Sequence, residues 1–203
     1  MTNKTTAAGM KAVPNNQIAR DLTKADIEKM AKDACNWGKW GPDDEIGTLN
    51  YITPKQLIEA AKLVKKGKSI SLGLDFNFHG PQTTGWGNRF NPIHTMLATG
   101  TDAIAGNQDA GGIRYADDMV SMPLQCGTQW DALAHIFYGD HMWNGYSAAL
   151  VDSTGAKKNG IEKTRAKMIG RGVLLDVARF KGGDFLADGY GISNQDLDDC
   201  AKA

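Results

Sequence analysis

Apolar residues recur at helical spacing in three parts of this chain, and each part carries a start signal. Residues 21–35 have the first such pattern, with Asp21 or Thr23 able to cap the helix. Thr53-Pro54 opens a second helix, because proline at the first helical position loses no hydrogen bond, and Gly67 stops it. Ser193 caps a third helix that runs towards residue 203.

Other segments have the shorter spacing of strands. Residues 69–78 alternate apolar and polar side chains, which predicts a half-buried strand, and residues 172–177 form an apolar run short enough for a buried strand. Residues 119–130 are also predicted to be extended, with a helical turn over 131–137. The stretch from 79 to 112 is rich in Gly, Asn, Thr and Pro and is predicted to be a long functional loop or a set of short strands.

This alternation of helices and strands predicts an α/β fold. Residues 1–20 are polar and are predicted to be a loose N-terminal arm, followed by one domain over residues 21–203. Residues 36–50 combine glycines and acids with tryptophans that need packing, which indicates an ordered loop. In a parallel sheet a strand at 172–177 followed by a crossover helix would be expected to lead into a further strand. We therefore expect the domain to be incomplete at its C-terminus.

The balance of charge narrows the class of partner. Lysine plus arginine and aspartate plus glutamate number 23 each among 203 residues, so no net field favours nucleic acid or an anionic membrane. No apolar run resembles a signal peptide or a membrane span. Three widely separated cysteines do not suit a disulfide framework, which favours a reducing cytoplasm. A small-molecule partner is the remaining expectation.

Candidate chemistry is concentrated between residues 125 and 135. In an extended chain Gln125, Gln129 and Asp131 share one face, and Gly127 leaves room between them. If the chain turns helical at Asp131, His135 follows one turn later on the same side. Two amides, a carboxylate and an imidazole are therefore predicted to converge on one pocket.

This segment resembles the signature of a known enzyme family. The signature His-x-Gly-Thr-His-x-Asp-x-x-x-His stands here as QCGTQWDALAH over residues 125–135, with glutamine in place of the two leading histidines. Further matches lie at residues 40–50, 138–145 and 170–176. On these residues the chain, from 36 to 203, resembles the metal-dependent cyclase and amidohydrolase family typified by bacterial kynurenine formamidase.

The resemblance carries expectations about fold and chemistry. It implies a swivelling β/β/α domain, assembled as a homodimer or homotetramer. It puts Gln125, Gln129 and Asp131 on the positions that bind zinc or manganese, and His135 on the position of the catalytic base. Imidazole suits zinc, whereas a glutamine amide offers a neutral oxygen, so the two substitutions should lower the affinity for metal and shift it towards manganese.

Three functions are compatible with this pattern. The favoured one is metal-dependent hydrolysis of an amide, cyclic imide or lactone, with water activated by the metal and by His135. The second is a metal-free cyclase or lyase that uses Asp131 and His135 as an acid and base pair. The third is a ligand-binding member of the family without catalysis.

Residues elsewhere are weaker candidates for the site. Four aromatic or imidazole side chains could contact a flat substrate, namely Trp40, Trp86, His94 and His141. Cys126 alternates away from the cluster and is expected to be a small buried apolar residue rather than a nucleophile.

Overall fold

Short helices and two-stranded sheets make up the regular structure of residues 9–16, 22–83, 85, 87–108 and 111–203, which this computed structural model describes. In chain order the strands and α-helices are β1 (Ala12–Val13), α1 (Lys24–Asp33), α2 (Pro54–Ala61), β2 (Ile93–Ala98), α3 (Gly100–Ile104), β3 (Asp117–Ser121), β4 (Val151–Asp152), β5 (Gly155–Ala156), α4 (Val177–Phe180), β6 (Phe185–Leu186) and α5 (Asn194–Lys202). Single 3-10 turns lie at Gly47–Tyr51, Leu124–Cys126, Trp143–Gly145, Ala148–Leu150 and Ile161–Thr164.

The helices begin where the sequence predicts. The side chains of Thr23, Thr53 and Ser193 each accept a hydrogen bond from the backbone N–H of the third helical residue. The side chain of that third residue in turn accepts a hydrogen bond from the backbone N–H of the capping residue. Helices α1, α2 and α5 therefore all start with a capping box. Thr99 starts α3 in the same way. These local contacts explain why the helix starts could be predicted without any knowledge of the tertiary structure.

Two of the predicted strands are absent from the described residues. Residues 69–75 and 171–176 form no ladder, and the alternating apolar side chains stay exposed, with Leu72 81% and Leu174 88% exposed. The pattern is that of a strand, but a strand needs a neighbour to pair with. Strand β2 pairs antiparallel with β3, from Ile93 opposite Ser121, in a sheet of two strands. The prediction of strands at 69–78 and 172–177 is therefore wrong for this structure.

Mixed helix and strand content is confirmed, with three sheets of two strands each among the described residues. Strands β2 and β3 form an antiparallel pair with α3 between them in the chain, β4 and β5 form a short hairpin, and β1 pairs with β6 in parallel. No helix in the described part of the chain is long and apolar enough to cross a bilayer.

Part of the predicted N-terminal arm is tied to the C-terminal region. Ala12 and Val13 pair with Phe185 and Leu186, and Val13 is buried. Asn16 donates a hydrogen bond to the carbonyl of Gly191 at 2.9 Å. The loose arm predicted for residues 1–20 is thus wrong for residues 11–16, whereas residues 1–8 and 17–20 lie outside the described residues.

Several buried side chains lie in or beside the segment that carries the candidate chemistry. Cys126, Ala134, Met142 and Asn159 are all buried, and Met142 and Asn159 have no exposed surface. Cys126 is 1% exposed and unpaired, as expected for a small buried residue. Residues 125–135 are therefore anchored by buried side chains as well as by backbone contacts.

A partly buried ion pair attaches α5 to the chain after α4, and it should make stability depend on pH. Lys181 Nζ lies 2.5 Å from Asp196 Oδ1, and Ser193 donates its N–H and its hydroxyl to Oδ2. The bond from Lys181, followed by those from Ser193, lowers the pKa of Asp196 from 3.8 to about 2. A lowered pKa stabilises the folded state above the unfolded value, and this contribution disappears as the pH falls from about 4 towards 2.

We therefore expect Asp196→Asn to lower the Tm by a few degrees at neutral pH. The difference from the wild-type chain should shrink as the pH approaches 2, where the folded wild-type carboxylate begins to be neutralised as well. Thermal unfolding followed by circular dichroism between pH 2 and 7 measures this, with the exposed Asp198→Asn as the matched control on the same helix. A Tm difference independent of pH would contradict the assignment of the effect to the charge.

Candidate functional site

The four predicted residues reach one cavity, but by a local structure different from the one predicted. Strand β3 ends at Ser121, and the chain then makes the 3-10 turn Leu124–Cys126 instead of continuing extended to residue 130. No helix forms over 131–137; a single turn closes where the N–H of His135 donates to the carbonyl of Ala132 at 2.9 Å. Two turns, rather than a strand followed by a helix, bring the residues together.

The cavity has a volume of about 650 Å³, and Gln125, Gln129, Asp131 and His135 all line it. Most of the remaining wall is apolar and includes Phe76, Met122, Leu124, Phe137, Val151 and Ile161. A volume of roughly 300–1,000 Å³ with a few convergent polar groups is typical of sites for small molecules. The site could therefore receive a compact organic substrate.

Polar contacts within the cavity centre on Asp131. Gln129 donates from Nε2 to Asp131 Oδ1 at 2.8 Å, and His135 Nε2 lies 4.0 Å from the same oxygen. That second distance is too long for a hydrogen bond, yet it is short enough for the carboxylate to attract an imidazolium. The side chain of His135 is 27% exposed, so a proton can be exchanged with solvent or substrate in the cavity.

The backbone around these side chains is fixed by two long-range hydrogen bonds. Gln82 donates from Nε2 to the carbonyl of Gln125 at 2.7 Å, and the hydroxyl of Thr128 donates to the carbonyl of Leu72 at 2.8 Å. Among the described residues no hydrogen bond engages the side-chain amide of Gln125. That amide is thus available to donate to a ligand.

The donor set does not fit a zinc or manganese site by itself. Gln125, Gln129 and Asp131 together supply one negative charge, and the Gln129 amide turns its nitrogen, not its oxygen, towards Asp131. A nitrogen donor occupies the Asp131 oxygen that a cation would otherwise take. Nowhere in the described part of the chain do three or more His, Cys, Asp or Glu side chains cluster in a way that could hold a metal.

The loop over residues 40–50 packs directly behind the site. The Asp44 carboxylate accepts the N–H groups of Ile46 and Gly47 at 3.2 and 2.8 Å, which fixes the tight turn. Gly47 has φ +56, and a Cβ there would lie 3.3 Å from both Leu133 and Trp143. Glycine is required on both grounds, because a side chain would strain the backbone and push against the turn that carries His135.

The other candidate residues do not join this cavity. Trp40 packs against Trp143 with ring centroids 6.2 Å apart and contacts Tyr51 edge-on, so it supports the loop behind the site. His94 Nε2 lies 2.7 Å from Asp118 on the β2–β3 hairpin. His141 lines a second cavity of about 610 Å³, which Asp131 also borders. Trp86 lies outside the described residues.

Sequence reasoning missed several residues around the site. Glu162 lines the same cavity, Gln82 supports Gln125, and Asn159 accepts the N–H of Ala134 on its carbonyl at 3.2 Å. The Asn159-Gly160 dipeptide was an available signal, because asparagine followed by glycine marks a turn with a left-handed residue. The two other residues carry no local signal.

Comparison with known proteins identifies the relatives of the chain. The family model described as "Putative cyclase" matches residues 69–203. A crystal structure described as that of a novel cyclase aligns with a TM-score of 0.77 and 44% sequence identity, over 83% of this chain and 56% of that one. This chain thus spans little more than half the length of that relative. No protein with a curated description matches the sequence.

Proposed function

Because this chain belongs to the cyclase family, we propose that it is an enzyme that hydrolyses an amide, cyclic imide or lactone, with His135 as the general base. The single observation that supports this proposal most is the meeting of Asp131 and His135 at 4.0 Å within a cavity of about 650 Å³. A carboxylate beside an imidazole in a pocket is a recurring arrangement for moving protons. The same residues would close the ring in the reverse direction.

The proposed reaction starts with a water molecule in the cavity. His135 takes a proton from this water as its oxygen attacks the carbonyl carbon of the substrate, which forms a tetrahedral intermediate. The imidazolium then returns the proton to the leaving nitrogen or oxygen as the bond from carbon to that atom breaks. One water is consumed, and the hydrolysis produces a carboxylic acid together with an amine from an amide, an amide from an imide, or an alcohol from a lactone.

Stabilisation of charge would come from the other polar groups of the cavity. The free amide of Gln125 can donate an N–H to the oxyanion of the tetrahedral intermediate, a contribution that is commonly large in acyl-transfer enzymes. Asp131 would stabilise the imidazolium that His135 becomes, and Gln129 holds that carboxylate at 2.8 Å. No step of this scheme passes through a metal, since the donor set described above does not fit one.

The apolar walls support a choice of substrate class. Phe76, Leu124, Phe137 and Ile161 line the cavity and would favour a substrate with an apolar body. We therefore favour an uncharged ring or acyl group over a phosphorylated or multiply charged substrate.

Several finer expectations stay predictions. These are the swivelling β/β/α architecture, assembly as a homodimer or homotetramer, a cytoplasmic location, and a small-molecule substrate with no nucleic-acid or membrane partner. Each rests on the resemblance or on composition. The resemblance also predicts binding of manganese or zinc, but the donor set described above leads us to expect only weak binding.

The proposal is tested by assaying the purified chain against a panel of N-acyl amides, cyclic imides and lactones, with product release followed by chromatography. We expect turnover of at least one class, and we expect it to survive exhaustive chelation with EDTA. Binding of panel compounds without any turnover would favour a ligand-binding protein instead. Turnover that is lost on chelation and restored by Mn²⁺ or Zn²⁺ would show that the metal-free scheme is wrong.

A further inference from the structure

A buried asparagine joins three segments behind the candidate base. Asn159 has no exposed surface, and its φ of +60 is a left-handed conformation that asparagine tolerates better than most residues. Its N–H donates to Glu45 Oε2 at 2.8 Å, and its side-chain Nδ2 donates to the carbonyl of Trp143 at 2.9 Å. Its own carbonyl accepts the N–H of Ala134 at 3.2 Å.

The carboxylate of Glu45 anchors this asparagine. The Glu45 side chain is 13% exposed and lies 3.2 Å from Lys158 Nζ and 3.7 Å from Lys163 Nζ. Burial raises the pKa of Glu45, but the hydrogen bonds from Asn159 and Lys158 outweigh it, so the net shift is downwards. The carboxylate is therefore ionised at neutral pH, and a charged acceptor makes a stronger hydrogen bond to the Asn159 N–H.

The bond to Ala134 matters because the turn next to it has few restraints of its own. His135 follows Ala134 directly, and that turn is closed by one hydrogen bond from His135 to Ala132. No helix surrounds it, so the carbonyl of Asn159 supplies a fixed point from outside the turn. Gly160, Ile161 and Glu162, which come directly after Asn159, line the same cavity as His135. Asn159 thus sets the distance between two walls of the site.

We propose that Asn159 and Glu45 are positioning residues that hold the His135 turn in register with the opposite wall of the cavity. This inference rests on the proposed function of His135. Neither residue lines the cavity, so their effect on the reaction passes through the backbone of Ala134 and His135. Such positioning is expected to affect turnover more than substrate affinity, because a displacement of about 1 Å can cost roughly a hundredfold in rate.

The test uses Asn159→Gly, which keeps the left-handed backbone and its bonds to Glu45 and Ala134 but removes the side-chain bond to Trp143 that helps to hold this backbone in place. We expect kcat to fall by roughly ten- to a hundredfold while KM stays within about twofold. The chain has four histidines, so the imidazole resonances can be resolved by NMR. Those of His135 should shift in this variant, whereas those of His79 and His94 should not.

Asn144→Gly is the matched control, because Asn144 also has a left-handed φ, of +63, but bonds only to residues 38–44 in the described structure. It should leave the His135 resonances in place. A second pair of variants, at Glu45, separates this effect from a general folding defect. Glu45→Ala should reproduce the effect on kcat and on the His135 resonances, and Glu45→Gln should restore part of both.

Folded Asn159→Gly and Glu45→Ala chains that both keep the wild-type His135 resonances and the wild-type kcat would overturn the inference. Failure of the proposed function gives a different result, since the resonances would still shift while His135→Asn kept its activity. An equal loss of kcat in Asn144→Gly, with the same shift of His135, would also overturn it, because the effect would then belong to the whole loop region.

Discussion

Replacing His135 with asparagine should lower turnover by about a hundred- to ten-thousand-fold, the usual contribution of a positioned general base. Asparagine keeps a polar side chain of similar reach, so the turn that begins at Ala132 should be preserved. Steady-state kinetics on the best substrate of the panel measures the effect. His79→Asn is the control, because His79 packs against Phe78 and does not line the cavity.

The same variant also tests the role of pH. Only a neutral imidazole can accept a proton, and histidine is the side chain that ordinarily changes charge between pH 5 and 8. Activity of the wild-type chain should therefore fall towards acid pH, and the residual activity of His135→Asn should lack that acid limb. Near-normal turnover with an unchanged acid limb would mean that His135 is structural and that the proposed mechanism is wrong.

Restoring the two histidines of the family signature should have a comparably large effect on metal binding. We expect the wild-type chain to bind Zn²⁺ or Mn²⁺ weakly, and the Gln125→His/Gln129→His double variant to bind Zn²⁺ at least about a hundredfold more tightly. Two imidazoles suit zinc, and the change at 129 also removes the amide that now donates to Asp131 at 2.8 Å. Isothermal titration calorimetry gives the affinities, and visible absorption of Co²⁺ reports the ligand geometry.

Gln195→His, on α5, controls for metal captured by a surface histidine. Two results would contradict our conclusion that the wild-type donor set does not fit a metal. One is a wild-type affinity equal to that of the double variant, and the other is stoichiometric metal in the protein as purified. In that case the Gln129 amide would have to turn its oxygen towards the cation when metal binds.

Local signals in the sequence predicted local structure well. Thr23, Thr53 and Ser193 satisfy the backbone of their own helices, so the starts of α1, α2 and α5 depend only on neighbouring residues. The strands predicted at 69–78 and 172–177 do not form, because the signal for them was incomplete. An alternating pattern states which face would be buried, but only a partner strand turns the segment into a ladder.

The four site residues were predicted to meet in one pocket, but through a local structure that does not form. Gln125, Gln129, Asp131 and His135 do line one cavity, yet they arrive there through a 3-10 turn and a single tight turn instead of a strand and a helix. The roles of Glu45 and Asn159 could not be predicted from spacing. They are 114 residues apart and meet only in the folded chain.

The exposed, alternating side of residues 69–78 also has a consequence for how the protein behaves at high concentration. Leu72, Leu74 and Phe76 are 81%, 53% and 57% exposed, and an unpaired segment of this kind can accept a strand from another molecule and seed aggregation. Lys65, Lys66 and Lys68 come directly before this segment. Their charges should oppose aggregation, because like charges repel when two copies stack. Salt shortens the reach of that repulsion, so this chain should stay dispersed more readily in dilute buffer than in concentrated salt.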